Sequence, residues 1–282
     1  MSFLSCSHTH STWCDGKYSI REMIQAAVDC GFVSLGFSGH AAQGFDFPYS
    51  MSWENQRGYF DELRALQKES LPLRLWAGLE VDAFAGEKEH EMSKEADYII
   101  GSTHYMWAER GGDSVAVDGD PVKLKAHVDT VYRGDGLAAA KRYFEVMSDF
   151  MLRAKPDIIG HFDLVRKYAG KLGLFDENDP AYRKIALNAL EKSFPSGSVL
   201  EINTGGMARG YLPTPYPAME LLCAWREMGG KVTITSDCHD LHFLTHAYDV
   251  AEEMMKQAGF KSVMMLGTGS ELWEEIPLSH LR

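Results

Sequence analysis

Histidines and acids recur in this chain at short spacings that suit metal chemistry. Residues 5–16 read SCSHTHSTWCDG, with His8 and His10 two apart and Asp15 just beyond. Further along, SGHA carries His40, GLEVD carries Glu80, GSTHY carries His104 and IGHFD carries His161. EINTGG carries Glu201 and Asn203, and TSDCH carries Asp237 and His239. Imidazole nitrogen and carboxylate oxygen together suit Zn²⁺, Mn²⁺ or iron better than Mg²⁺ or Ca²⁺. Each residue alone also has an ordinary use. A histidine at a strand end bonds its loop, and Asp-Gly makes a turn. The question is whether these side chains meet.

The elements that would carry them alternate between strand and helix. Strands are expected at Phe3–His10, Ser34–Ala41, Leu73–Ala83, Tyr98–Tyr105, Asp157–Leu164, Val199–Thr204 and Lys231–Ser236, with Ser262–Leu266 as a final one. Helices are expected after Ser19, over Trp53–Lys68, Gly136–Leu152 and Ala218–Met228, from Asp179-Pro180, and from about Thr245 to Ala258. Ser19 with Glu22 reads as a capping box, and Asp179-Pro180 as a cap and first-turn proline. Residues Met106–Arg133, Gly- and Asp-rich in part, read as a long loop that could cover a site.

Repeated βα units imply parallel strands with helices outside. On this reading the candidate ligands all fall at the C-terminal strand ends, which in a closed barrel form the functional face. Residues two apart on a strand share a face, so His8 and His10 converge, as do Asp237 and His239. Glu80 sits within an apolar strand, where a cation is a natural partner for a buried carboxylate. Six imidazoles (His8, His10, His40, His104, His161, His239) and three carboxylates (Asp15, Glu80, Asp237) exceed the four ligands of one zinc ion, and suit two or three ions. Cys238 neighbours a ligand and so points into packing, while Cys14 is ambiguous.

The length of 282 residues fits one barrel domain over 1–282. The net charge of −12, with no basic cluster, argues against nucleic acid as a partner. No apolar run is long enough for a membrane span, and the first residues do not read as a signal peptide. Five cysteines without a CxxC pair suit reduced thiols in the cytoplasm. Nothing in the sequence sets an oligomeric state.

The ordered set HTH…DG, GH, E, H, GHFD and SDCH resembles the PHP (polymerase and histidinol phosphatase) superfamily. Within it, GHFDLVRKY, EINTGG and the overall length are similar to the stand-alone histidinol-phosphate phosphatases of histidine biosynthesis. The resemblance implies an α/β fold, a distorted (β/α)7 TIM-like barrel, holding three divalent ions of Zn, Mn or Fe. One ion would take His8, His10, Glu80 and Asp237. A second would share Glu80 and take His104 and His161, and a third would take Asp15, His40 and His239. Many members carry histidine in place of Asp15, and a small polar residue in place of Cys14.

It further implies hydrolysis of a small phosphate monoester, L-histidinol phosphate, by a metal-bridged hydroxide attacking phosphorus in line. Arg166 and Arg209 resemble the family's phosphate-contacting arginines. Asp237 and His239 are the nearest catalytic candidates for protonating the leaving alcohol. Phe45, Phe47, Tyr105, Trp107 and Phe243 are candidates for an aromatic wall around the imidazole, with Asp46 as an acid. Alternatives are a PHP phosphoesterase for nucleotides or phosphotyrosine, a non-catalytic PHP module, and an amidohydrolase-type barrel. No strand end carries the lysine often found in that last class.

Overall fold

The computed structural model describes residues 4–44, 49–86, 91, 93–107 and 114–280. The chain opens with β1 (Leu4–Cys6), α1 (Ile20–Asp29), β2 (Phe32–Phe37), α2 (Trp53–Leu66), β3 (Arg74–Asp82) and β4 (Tyr98–Ser102). Next come β5 (Tyr105–Trp107), β6 (Ser114–Ala116), α3 (Pro121–Val131), α4 (Gly136–Ala154), β7 (Ile158–Ile159) and α5 (Pro180–Ser193). The last part holds β8 (Val199–Asn203), α6 (Met219–Glu227), β9 (Val232–Thr235), α7 (Tyr248–Ala258), β10 (Ser262–Leu266) and β11 (Trp273–Pro277). Helix starts follow their caps. The Ser19 hydroxyl accepts from Glu22 N–H, the Glu22 carboxylate accepts from Ser19 N–H at 2.8 Å, and Ile20, Met23, Ile24 and Ala27 then face the core.

Seven strands form one sheet in the order β1-β2-β3-β4-β7-β8-β9. Every neighbouring pair is parallel. Just past the strand ends the sheet returns on itself. Thr9 bridges Cys238, His10 N–H donates to the Cys238 carbonyl at 2.9 Å, and Cys238 N–H donates to the His8 carbonyl at 3.1 Å. The result is the expected α/β barrel, nearly closed, with helices around it.

Three expectations need correction. Residues 106–133 are not one loop: β5 and β6 pair antiparallel, and Asp120 caps α3 through Val122 N–H with Pro121 in the first turn. Of Asp157–Leu164 only Ile158–Ile159 are strand, and Leu164–Arg166 is a 3₁₀ turn. Strand β10 exists but does not join the barrel sheet. It pairs antiparallel with β11 and packs Leu266 against Trp76, Tyr98, Ile100 and Ile158. Trp76 Nε1 donates to the Gly267 carbonyl at 2.8 Å, and Ser34 Oγ to the Leu266 carbonyl at 2.6 Å. This ribbon therefore plugs the N-terminal end of the barrel. Among the described residues no helix is long and apolar enough to cross a membrane, and all five cysteines are free.

Between the plug and the strand ends lies Tyr98, fully buried, its hydroxyl 2.5 Å from the Ser7 carbonyl. Its ring has room only because two neighbours lack side chains. A Cβ on Gly36 would stand 2.3 Å from the Tyr98 hydroxyl, and one on Gly78 2.4 Å from the ring. Gly78→Ala should therefore cost about 1–3 kcal/mol through overpacking. Urea unfolding measures this, and an unshifted midpoint would show that the ring yields freely.

Candidate metal centre

The nine candidate ligands come to one place. Residues 8 and 10 leave β1, His40 follows β2 and bridges Glu80 of β3, His104 follows β4, His161 follows β7, and Asp237 and His239 follow β9. Glu80 lies at the centre. Its Oε2 is 3.2 Å from His8 Nε2, 3.6 Å from His10 Nε2 and 3.0 Å from His40 Nδ1. Its Oε1 is 3.2 Å from His104 Nε2 and 3.0 Å from His161 Nε2. Asp237 Oδ1 stands 3.5 Å from His10 Nε2 and 3.7 Å from His8 Nε2. Asp15 Oδ2 lies 3.2 Å from His239 Nε2 and 3.7 Å from His40 Nε2. Asp237 adopts φ 47°, a left-handed conformation that is strained for a residue with a Cβ and that persists only where its surroundings enforce it.

Atoms spaced like this can surround cations. Three groups are tight enough: His8, His10 and Glu80; His40, Glu80 and His104; and His10, Asp15, His40 and His239. His8 Nε2, His10 Nε2 and Glu80 Oε2 are buried and make no hydrogen bond. Three convergent orphan atoms of ligand type fit a divalent ion, because leaving them unsatisfied is costly.

Supporting residues hold the ligands from behind. Glu201, in the apolar strand VLEIN, accepts at 2.9 Å from His8 Nδ1 and at 2.8 Å from both Asn203 Nδ2 and Thr235 Oγ1. Asp82 Oδ2 lies 3.2 Å from His104 Nδ1 and accepts from His104 N–H at 2.8 Å. Such carboxylates fix the ring and its tautomer, so that the far nitrogen faces the metal. The sequence reading assigned neither a role. The signal for Glu201 was the same as for Glu80, an acid inside an apolar strand, but sequence does not say which of two buried acids binds and which orients.

Electrostatics follow from this crowding. Burial would raise the Glu80 carboxyl, but His8, His40 and His104 overcome it and hold the group well below the usual range. Burial would likewise raise Asp237, and Arg209 and His8 hold it low. Burial disfavours charge on His8, yet Glu201, Glu80 and Asp237 raise it well above an ordinary histidine. His104 is raised in the same way, against burial, by Glu80 and Asp82. His40 goes the other way: burial dominates and pushes it down to about 3.

The ligands Asp15, His40, Glu80, His104, His161, Asp237 and His239 line a cavity of about 230 Å³ together with Tyr49, Asp118, Leu164, Lys167 and Arg209. Arg209 lies at this cavity, its Nη2 donating to Asp237 Oδ2 at 2.8 Å. Gly205 makes this approach possible, since a Cβ there would stand 2.9 Å from both Arg209 Nη2 and Asp237 Oδ2. Arg166 is not brought to the cavity. Its guanidinium is buried, with Asp163 at 2.8 Å, Glu177 at 2.8 Å and the Pro215 carbonyl at 2.9 Å. The neighbouring Lys167 reaches the cavity instead. Of the expected aromatic wall, Phe45, Asp46, Phe47 and the Trp107 side chain lie outside the described residues. Tyr105 is buried and stacked on Tyr49, with ring centroids 6.1 Å apart. Tyr49 lines the cavity and Phe243 does not.

A barrel with a cluster of histidines and carboxylates at its C-terminal strand ends defines a metal-dependent hydrolase scaffold. The chain belongs to the PHP domain family, which it matches over residues 7–205. That span carries seven of the nine candidate ligands, and Asp237 and His239 follow it. The chain is 30% identical over 276 residues to a protein of Deinococcus radiodurans named "probable histidinol-phosphatase", covering 93% of this chain and 96% of that one. Two crystal structures share the fold. One, from Listeria monocytogenes and named as a candidate histidinol phosphatase, has a TM-score of 0.76 and 18% identity, covering 88% of this chain and 99% of its own. The other, a histidinol phosphate phosphatase from Lactococcus lactis with zinc, L-histidinol and phosphate bound, has a TM-score of 0.64 and 20% identity, covering 94% and 97%.

The raised His8 and His104 keep their protons near neutral pH in the metal-free protein, and a metal takes only the neutral ring. Zinc binding should therefore release protons and tighten as pH rises. Calorimetry of the metal-free protein in buffers of different ionisation enthalpy measures this, and proton-neutral binding would contradict it. Glu201→Gln should weaken zinc binding about 10- to 100-fold.

Proposed function

We propose that the chain is a metal-dependent phosphomonoesterase that hydrolyses L-histidinol phosphate to L-histidinol and phosphate in histidine biosynthesis. The observation that carries this is the convergence of His8, His10 and Glu80, each with an unsatisfied buried atom, at the centre of a nine-residue ligand cluster. The substrate rests on the histidinol-phosphatase names borne by relatives that span the chain almost end to end. Three ions drawn from zinc, manganese and iron suit the cluster, in the groups His8–His10–Glu80–Asp237, Glu80–His104–His161 and Asp15–His40–His239. When bound, such ions supply Lewis-acid activation of water and neutralise phosphate oxygens.

The chain's own residues do the rest. Arg209, tied to Asp237 through Nη2 to Oδ2 at 2.8 Å and through Nη1 to the carbonyl at 3.3 Å, keeps further N–H groups for a phosphate oxygen. Lys167 adds a point charge from the adjoining wall. Arg166 braces the loop carrying Pro215 rather than the phosphate. The reaction adds water across the phosphorus–oxygen bond to the alcohol, so the leaving alcohol must gain a proton. Asp237, held as a carboxylate beside Arg209, is suited to accepting hydrogen bonds. His239, stacked on His10 with ring centroids 3.9 Å apart and partly exposed in the cavity, can carry that proton only while its Nε2 is not held by the third ion.

Steady-state kinetics with L-histidinol phosphate test the reading. Chelation should abolish turnover and divalent metal restore it, and His10→Ala or Asp237→Asn should abolish it outright. Full activity in a metal-stripped sample ends the mechanism, and a nucleotide or phosphotyrosine leading a panel of esters reassigns the substrate. Arg209→Ala should act chiefly on KM. Arg166→Ala should instead cost stability, about 3–5 kcal/mol, by stranding the buried Asp163.

A further inference from the structure

Four acids line the cavity: Asp15, Glu80, Asp118 and Asp237. Three of them approach imidazole nitrogens within 4 Å and belong to the ligand cluster. Asp118 does not, and it joins none of the three tight groups formed by the described residues. The charged group nearest its carboxylate is Lys167 Nζ, 3.7 Å away. No described residue donates a hydrogen bond to that carboxylate.

The main chain at this point is firmly held. The β5–β6 ribbon delivers it, and Val117 N–H donates to the His104 carbonyl at 2.8 Å, joining the segment to a ligand strand. The Asp118 carbonyl accepts from Lys167 Nζ at 2.8 Å and from the Tyr168 hydroxyl at 3.3 Å. Lys167 is occupied further by the face of Tyr211, 4.2 Å from the ring centroid. The lysine is thus spent mostly on the backbone oxygen and the ring. The carboxylate, 30% exposed, remains open to the cavity.

An occupied site of this kind is strongly positive: divalent ions, Arg209 and Lys167 all face one small volume. That favours phosphate but repels an alcohol that carries its own positive charge, unless a carboxylate offsets it. We propose that Asp118 receives the ammonium group of the alcohol portion of the substrate, and so selects phosphate esters of cationic amino alcohols over neutral ones. This assignment rests on the phosphatase reading above and deepens it.

The test compares kcat/KM for L-histidinol phosphate and for p-nitrophenyl phosphate, whose alcohol is uncharged, in the zinc-loaded wild type and in Asp118→Asn. The substitution keeps the shape of the side chain and removes its charge. The ratio of the two specificity constants should fall about 10- to 100-fold, the size of a lost charge-assisted hydrogen bond, chiefly through KM for the cationic ester. Asp118→Glu should recover part of the ratio. A ratio unmoved in Asp118→Asn overturns the assignment, whether both activities fall together or both persist. A wild type that hydrolyses p-nitrophenyl phosphate but not L-histidinol phosphate overturns the substrate reading itself, and the ammonium site with it.

Discussion

One buried carboxylate organises the site. Glu80 is 2% exposed, and five imidazoles on four different strand ends lie within 3.6 Å of it. A carboxylate in that position is costly unless compensated, and the compensation comes from groups far apart in sequence. The barrel is what makes this possible, since parallel strands in sequential order bring successive strand ends around one axis. Strand β3 runs far enough, over Arg74–Asp82, to put Glu80 on that axis and Asp82 behind His104. The arrangement then serves cations as readily as it serves imidazolium protons, and the two compete for the same nitrogen atoms.

Beneath this layer the barrel is filled rather than hollow. Tyr98 occupies the space that Gly36 and Gly78 leave, and the β10–β11 ribbon closes the far end with Leu266. Polar chemistry is confined to one end because the other is packed with apolar side chains. Glu201 is the exception, a buried acid inside a barrel strand, and it accepts hydrogen bonds from the ligands His8 and His161, from Asn203 of its own strand and from Thr235 of the neighbouring one.

Much of this was legible in the sequence, for a definite reason. A ligand at a strand end leaves a local signature, such as HTH or SDCH, because period-two alternation aligns side chains two apart. What was not legible depended on geometry beyond the strand. Arg166 and Lys167 are adjacent, and a 3₁₀ turn over Leu164–Arg166 decides which of them reaches the cavity; nothing in HFDLVRKY announces that turn. Helix α3 begins with Asp120-Pro121, the same cap-and-proline signal as Asp179-Pro180, but the Gly- and Asp-rich residues before it have the composition of a loop. Strand β10 has the composition of a buried strand, and composition does not distinguish a barrel stave from a plug.

The closure between Thr9 and Cys238 has a consequence for how the protein is made. The first and last groups of the cluster are some 230 residues apart and become neighbours only when the ring of strands is complete. A polypeptide emerging from the ribosome presents His8 and His10 well before Asp237 and His239. Metallation as a full cluster therefore waits for the residues that follow β9, and a product that stops before them cannot assemble the complete centre.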